Sequence, residues 1–146
     1  MMDKEGVTLL IATRNRLKEL QKTLDRSAFL LEDDRVKFII CDDNSSDGTS
    51  DYIKQKFPDI KLLRNEKQMG VFYSRNLMFN NVETKYAITI DDDINFVKAF
   101  NVQDIFNYFE THPNCAIMAF RIFWGEELPN CLDSYEEPVQ VKSFGA

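Results

Sequence analysis

Short apolar runs alternate along most of this chain with segments whose apolar residues recur at helical spacing. A continuous apolar run between polar turns is typical of a buried strand, whereas apolar residues three or four positions apart form one face of a helix. This alternation favours right-handed crossovers and a mostly parallel central sheet with helices on both faces. The sequence therefore predicts an α/β fold, with strands at residues 7–12, 36–41, 60–63, 86–90 and 115–120.

A helix is predicted between each pair of successive strands. The third of these helices is expected to turn Phe72, Leu77 and Met78 inward. The fourth, residues 102–110, is expected to be capped by Asn101, a residue type that favours helix starts.

The length and composition fit one globular domain. The chain has 146 residues, of which 44% are hydrophobic and 29% charged, enough to build one sizeable core. We expect a single domain over residues 1–146, with the α/β core at about 7–124 and an irregular tail at 125–146.

Charge and cysteine content exclude several classes of protein. A net charge of −6 with no basic stripe argues against binding to nucleic acid. No apolar run is long enough for a transmembrane segment and the N-terminus lacks a signal-peptide pattern, which leaves association with a membrane surface open. Cys41, Cys115 and Cys131 match no zinc-binding spacing, so we expect reduced thiols and a cytoplasmic location.

Three adjacent carboxylates, Asp91, Asp92 and Asp93, directly follow the predicted strand at residues 86–90. Ligands of open α/β sheets bind at the carboxyl ends of the strands. Two carboxylates about 5 Å apart repel by roughly 3 kcal/mol at an effective dielectric near 20, and a divalent cation removes that repulsion. The triplet is therefore interpreted as a metal site that carries a negatively charged substrate, with a solvated acidic turn as the alternative.

Two other polar clusters follow predicted strands, at residues 13–16 and 42–49. A parallel sheet brings the carboxyl ends of its strands to one edge, so these clusters should meet the aspartate triplet there. A cation at Arg75 would neutralise phosphate charge, and the turn at Gly70 would let backbone approach a ligand closely.

These segments resemble the N-terminal part of family 2 glycosyltransferases of the GT-A type. The resemblance covers residues 7–96 well and 97–124 loosely, and it departs from the family at Ser74, where alanine is usual. It implies a Rossmann-like GT-A nucleotide-diphospho-sugar transferase fold. The matching segments are LLIATRNR, FIICDDNSSDGTSDYI, NEKQMGVFYSRN and ITIDDDINF.

The resemblance also implies donor-binding roles. Thr13, Asn15 and Arg16 would line the nucleotide pocket, and Asp43 would accept a hydrogen bond from the base, typically uracil N3–H. Gly70 and Arg75 would lie at the ribose or diphosphate region.

The aspartate triplet takes the family's Asp-x-Asp role under the same resemblance. Asp91 and Asp93 would form the signature, with Asp93 the better candidate for direct Mn²⁺ or Mg²⁺ ligation. Asp92 would contact the ribose or a metal-bound water.

The implied reaction transfers a sugar, with inversion, from a nucleotide-diphosphate-sugar donor to a saccharide or other hydroxyl acceptor, as in polysaccharide biosynthesis. A UDP-sugar is the favoured donor, and the metal would stabilise the diphosphate leaving group. Inversion needs a general base. The base is not identified, because no late carboxylate aligns with the family's acidic motif. The late carboxylates are Glu126, Glu127, Asp133, Glu136 and Glu137.

One alternative stays open, and two others fit the sequence poorly. A non-catalytic module that binds a nucleotide sugar would share every donor-site residue. A phosphoaspartyl receiver would use Asp42, Asp43 and Asp91, but it needs a Thr or Ser and a Lys after later strands, which the sequence does not supply cleanly. A phosphatase of the haloacid dehalogenase type carries Asp-x-Asp after its first strand, whereas here the triplet follows the fourth.

Overall fold

The computed structural model describes residues 4–120 and Ile122. Among these residues, those up to Asp104 form one compact unit, and those from Ile105 belong to a second. No helix in the described part of the chain has the length and apolarity needed to cross a bilayer. The strands are β1 Lys4–Thr13, β2 Val36–Asp42, β3 Lys61–Arg64 and β4 Thr84–Asp91, and the helices are α1 Leu17–Arg26, α2 Ala28–Leu31, α3 Thr49–Lys56, α4 Val71–Phe79 and α5 Val102–Thr111.

The four strands form one parallel sheet in the order β3-β2-β1-β4. The chain moves outward from β1 through β2 to β3 and then returns to the other side of β1. With right-handed crossovers, α1 to α3 lie on one face of the sheet and α4 on the other. The predicted α/β architecture is confirmed, and the topological switch point lies between the carboxyl ends of β1 and β4.

The core is built on β1 and β2, which are covered on both faces and are therefore apolar almost throughout. Met78 of α4 packs with Leu10, Ile39 and Cys41 on one face of these strands. Cys41 is fully buried and serves as a core residue, and this burial raises the pKa of its thiol. At the edge of the sheet, β4 buries only alternate residues.

The helix capping predicted at Asn101 is confirmed. Its side-chain Oδ1 accepts a hydrogen bond from the backbone N–H of Gln103 at 3.0 Å, at the start of α5.

The prediction that Phe72 faces inward was wrong, because its side chain is 81% exposed. Ser74 and Met78, four residues apart, are the buried residues of α4. Positions i and i+4 share one helix face, whereas a residue two positions before Ser74 points elsewhere. This short helix carries its own apolar residues on most sides, so their spacing alone did not define its inner face.

The predicted fifth strand was also wrong. Residues 115–120 adopt no regular structure, and most of their side chains are exposed. Apolar composition makes a segment suitable for a sheet, but a strand forms only where a neighbouring strand offers backbone partners. The predicted tail at 125–146, and Trp124 before it, lie outside the described residues.

Gly6 provides a first testable prediction, because it has φ +145° and an added Cβ would lie 2.7 Å from the carbonyl oxygen of Arg35. Gly6→Ala should therefore lower the free energy of unfolding by roughly 2–4 kcal/mol, through backbone strain and overpacking together. Gly48→Ala is the control for strain alone, since Gly48 has φ +88° with nothing within 4 Å of the added Cβ. Urea unfolding would measure both variants, and equal losses would contradict the steric argument.

Candidate functional site

The polar turns after β1, β2 and β4 meet at the carboxyl edge of the sheet. The backbone N–H of Asp43 donates to the carbonyl of Thr13 at 2.9 Å, joining the first two turns. The Thr13 hydroxyl donates to Asp92 Oδ2 at 2.7 Å, joining the first turn to the triplet. Segments far apart in sequence therefore converge at the switch point, where ligands of doubly wound sheets bind.

Asp92 is the inward member of the triplet and is only 7% exposed. Besides the Thr13 hydroxyl, it contacts Arg16, whose Nε lies 3.1 Å from Oδ1. The backbone carbonyl of Asp92 accepts a hydrogen bond from the Thr23 hydroxyl of α1 at 2.8 Å. Burial raises the pKa of Asp92 despite the opposing effects of Thr13 and Arg16. Asp92 thus connects the end of β4 to β1 and α1.

Asp91 and Asp93 point outward, with side chains 60% and 49% exposed. Arg75 on α4 places Nη2 2.5 Å from Asp91 Oδ1, and Arg16 places Nη2 2.7 Å from Asp93 Oδ2. Two arginines that the sequence assigned to donor binding therefore act here as counterions of the triplet.

The donor atoms of the triplet fit a metal that arrives with its substrate. Among the described residues, no three Asp, Glu, His or Cys side chains converge to hold a metal ion. Magnesium sites at phosphates commonly use only one or two carboxylates and take their other ligands from phosphate and water, and carboxylate and water oxygens also suit Mn²⁺. The exposed carboxylates of Asp91 and Asp93 match that requirement, whereas a resident all-protein metal site would need more ligands.

Asp43 lies buried at the end of β2 and is 5% exposed. Its Oδ1 accepts from Asn65 Nδ2 and the Met69 N–H, both at 2.7 Å, and its Oδ2 accepts from the Gly70 N–H at 2.8 Å. Burial opposes ionisation, but these hydrogen bonds outweigh it, and the pKa of Asp43 lies below its ordinary value. A carboxylate oxygen has two acceptor positions, so Oδ2 has one left beside its hydrogen bond from Gly70.

Gly70 immediately precedes α4 and has a backbone conformation that favours glycine, with φ +88°. Its N–H binds Asp43, and its carbonyl accepts from the Ser74 N–H at 3.1 Å. Asp43 therefore fixes the beginning of the helix that carries Arg75.

Asn15 lies in the turn after β1 and forms hydrogen bonds with the turn after β2. Its N–H donates to Ser45 Oγ at 2.9 Å, and its Oδ1 accepts from the Ser46 N–H at 2.8 Å. Asn15 has φ +51°, a left-handed conformation that asparagine tolerates better than most residues.

Sequence reasoning did not assign roles to Asn65 or Thr23. Asn65 opens the NEKQMGVFYSRN segment, which was a usable signal for its position beside Asp43. Thr23 lies among ordinary helical residues, and nothing in its pattern indicates the hydrogen bond to Asp92.

A cavity of about 220 Å³ opens beside the start of α3. Its lining includes Ser46, Lys54 and Arg64, but none of the predicted site residues. The cavity is therefore bordered by the turn after β2, through Ser45, Ser46, Gly48 and Thr49, while Asp43 and the aspartate triplet do not line it.

The one histidine of the chain, His112, is exposed. Its ring stacks on Tyr108 with centroids 4.1 Å apart. The late carboxylates from Glu126 to Glu137 lie outside the described residues.

Known proteins of similar sequence match most of the chain. The sequence profile of glycosyl transferase family 2 matches residues 8–137. The "Uncharacterized glycosyltransferase MJ1057" of Methanocaldococcus jannaschii is 29% identical over 143 residues, covering 92% of this chain and 48% of the relative. The chain thus spans about half the length of this curated relative.

Solved structures show the same fold at low identity. The mannosyltransferase PcManGT from Pyrobaculum calidifontis, in complex with GDP-Man and Mn²⁺, has a TM-score of 0.56 and 19% identity, over 66% of this chain and 30% of its own. TarS 1–349 of S. aureus, in complex with UDP, has a TM-score of 0.63 and 18% identity, over 74% of this chain and 33% of its own. The resemblance found in the sequence is confirmed, and the chain belongs to glycosyl transferase family 2.

Proposed function

We propose that this chain is the donor-binding part of a glycosyltransferase, with residues 1–146 acting as one domain. It would bind a nucleotide-diphosphate sugar, a UDP-sugar being favoured, together with Mn²⁺ or Mg²⁺. The observation that carries the proposal is the convergence of buried Asp43 with outward Asp91 and Asp93 at the switch point of the sheet. Structural neighbours solved in complex with GDP-Man and Mn²⁺, and with UDP, support the same class of ligand.

Asp43 is proposed to recognise the nucleobase. A carboxylate accepts hydrogen bonds only, and the imide N3–H of uracil is a donor that it can receive. The lowered pKa of Asp43 keeps this carboxylate ionised at neutral pH, and its Oδ2 has an acceptor position left. Guanine also presents an N–H at its edge, so the choice between UDP and GDP is left to experiment.

The diphosphate is proposed to bind between the arginines and the outer aspartates. Arg16 and Arg75 would turn from their carboxylates to phosphate oxygens, forming charge-assisted hydrogen bonds. Asp93 and Asp91 would then hold the metal. When bound, the metal supplies Lewis-acid stabilisation of the diphosphate leaving group. Binding of nucleotide and metal should therefore be cooperative.

Thermal unfolding with ligands tests this proposal. We expect little stabilisation by Mn²⁺ or UDP alone and clear stabilisation by both. A total ligand effect of about 2.7 kcal/mol is expected at a concentration a hundredfold above Kd. UDP-sugars and GDP-sugars compared at equal concentration identify the nucleobase. Absence of a response to every nucleotide with metal would contradict the proposal.

The transfer reaction itself is proposed to be inverting, toward a saccharide or other hydroxyl acceptor. Release of UDP from a UDP-sugar, measured with and without a panel of acceptor sugars, tests this step. Binding without acceptor-dependent release would instead indicate a nucleotide-sugar-binding module.

The free, buried thiol of Cys41 is compatible with the proposed cytoplasmic location.

A further inference from the structure

The carboxylate of Asp47 holds the first turns of two helices at once. Its Oδ2 accepts from the N–H of Leu17, which begins α1, at 3.0 Å. Its Oδ1 accepts from the N–H of Thr49, which begins α3, at 3.2 Å, and from the Thr49 hydroxyl at 2.6 Å. The residues that precede these two helices, Arg16 and Gly48, provide no side-chain cap. Asp47 therefore supplies a carboxylate where a helix start favours one.

Ionisation of Asp47 is favoured in this position. Burial opposes the charge, but the hydrogen bonds from Thr49 and Leu17 outweigh it, and the pKa of Asp47 lies below its ordinary value. The carboxylate thus accepts from both helices in its charged form, in which both oxygens are acceptors.

A second bridge runs parallel to the first. Asn15 joins the same two turns through its contacts with Ser45 and Ser46, described above. The turn after β1 is therefore fixed to the turn after β2 by side chains from both partners, in addition to the backbone contact between Asp43 and Thr13.

These bridges set the spacing of the proposed donor site. One turn carries Arg16, which contacts the aspartate triplet, and the other carries Asp43. We propose that Asp47, assisted by Asn15, is a positioning residue that holds Arg16 and Asp43 at the separation a nucleotide diphosphate requires. This inference rests on the proposed function and assigns Asp47 no contact with the ligand.

The chain offers a matched control in Asp33. Its carboxylate accepts from the backbone N–H, Nε and Nη2 of Arg35 at 2.7–3.0 Å, so it is also a carboxylate with several donors. The pKa of Asp33 is lowered chiefly by its hydrogen bond with Arg35. Asp33→Ala removes these bonds without touching the turns after β1 or β2.

The experiment measures UDP affinity by calorimetry at saturating Mn²⁺, at a temperature where every variant is folded. Asp47→Ala should raise the Kd of UDP by about tenfold or more, and Asp33→Ala by less than about twofold. Asp47→Asn keeps one acceptor oxygen and should recover part of the affinity. If Asp47→Ala does not fold, Asn15→Gly tests the second bridge between the same two turns, since glycine keeps the left-handed backbone and its N–H while removing the side chain.

Amide hydrogen exchange tests the bridge without a ligand. In Asp47→Ala, the amide of Leu17 should exchange faster, and the turn at residues 42–49 should lose protection with it. Unchanged exchange there, or equal losses of UDP affinity in Asp47→Ala and Asp33→Ala, would overturn the positioning role while leaving the proposed function intact. Failure of the wild-type protein to bind UDP with Mn²⁺ would overturn both.

Discussion

Replacing Asp43 with alanine should both destabilise the fold and remove most of the nucleotide affinity. The carboxylate accepts hydrogen bonds from Asn65, Met69 and Gly70 in a nearly buried position. Its loss leaves these donors without their acceptor, at a cost of roughly 2–4 kcal/mol in the free energy of unfolding. Urea unfolding measures this loss, and unchanged stability would contradict the hydrogen-bond network around Asp43.

The same variant should raise the Kd of UDP with Mn²⁺ by about tenfold to a hundredfold, the range of a lost hydrogen bond to a charged group. Asp33→Ala is again the control, because it removes a hydrogen-bonded carboxylate far from the proposed base contact. Calorimetry on both variants, each fully folded, separates affinity from stability. Comparable affinity in Asp43→Ala and wild type would exclude Asp43 as the nucleobase acceptor.

The pH dependence of stability gives an independent measure of Asp43. Its folded-state pKa lies below the unfolded value near 4, so ionised Asp43 favours the folded state above that value. The contribution is lost as the pH falls through the lowered pKa. The stability difference between wild type and Asp43→Asn should therefore shrink between about pH 6 and about pH 3. A difference that stays constant over this interval would contradict the lowered pKa.

The fold was predictable where strands are buried on both faces, because such positions are occupied almost only by apolar residues. The strands β1 and β2 are covered on both faces, and their near-continuous apolar runs identified them to within a few residues. Parallel pairing then forced the turns after these strands to one edge. In contrast, the strand expected at residues 115–120 depends on a partner that local composition does not specify, and the short helix α4 is apolar around most of its surface.

The site was predictable in its residue types but not in its contacts. An acidic triplet after a strand indicates a ligand site, yet the inward direction of Asp92 and its hydrogen bond with Thr13 follow from the pairing of β1 with β4. The capping of α1 by Asp47 joins residues thirty positions apart, so it depends on the register between β1 and β2. Local patterns carry no information on such pairings.

The arginines beside the triplet lead to a prediction in which the affinity for Mn²⁺ alone and the affinity for UDP with Mn²⁺ change in opposite directions. In this structure, Arg16 pairs with Asp93, and Arg75 pairs with Asp91. Mn²⁺ alone must displace these guanidinium groups, whereas a diphosphate would use them. Arg75→Ala and Arg16→Ala should therefore strengthen the binding of Mn²⁺ alone and weaken the binding of UDP with Mn²⁺.

The two effects should differ in size. These side chains are substantially exposed, so each ion pair is worth at most about 1 kcal/mol, which limits the gain in Mn²⁺ affinity to roughly fivefold. A lost charge-assisted contact to phosphate should raise the Kd of UDP with Mn²⁺ by about tenfold to a hundredfold. Calorimetric titration of each variant, first with Mn²⁺ and then with UDP, measures both quantities.

Arg35→Ala provides the matched control for the change in net charge. Arg35 also pairs with an aspartate, Asp33, at 2.7 Å, and its side chain is 42% exposed compared with 45% for Arg16. Because the three variants lose the same charge, a general electrostatic effect would change ligand binding equally in all of them. Equal responses in Arg35→Ala, Arg16→Ala and Arg75→Ala would show that the triplet's counterions do not exchange with the diphosphate. Opposite changes in Mn²⁺ and UDP affinity confined to Arg16 and Arg75 would show that the outer carboxylates bind the metal and that their arginine partners bind the diphosphate.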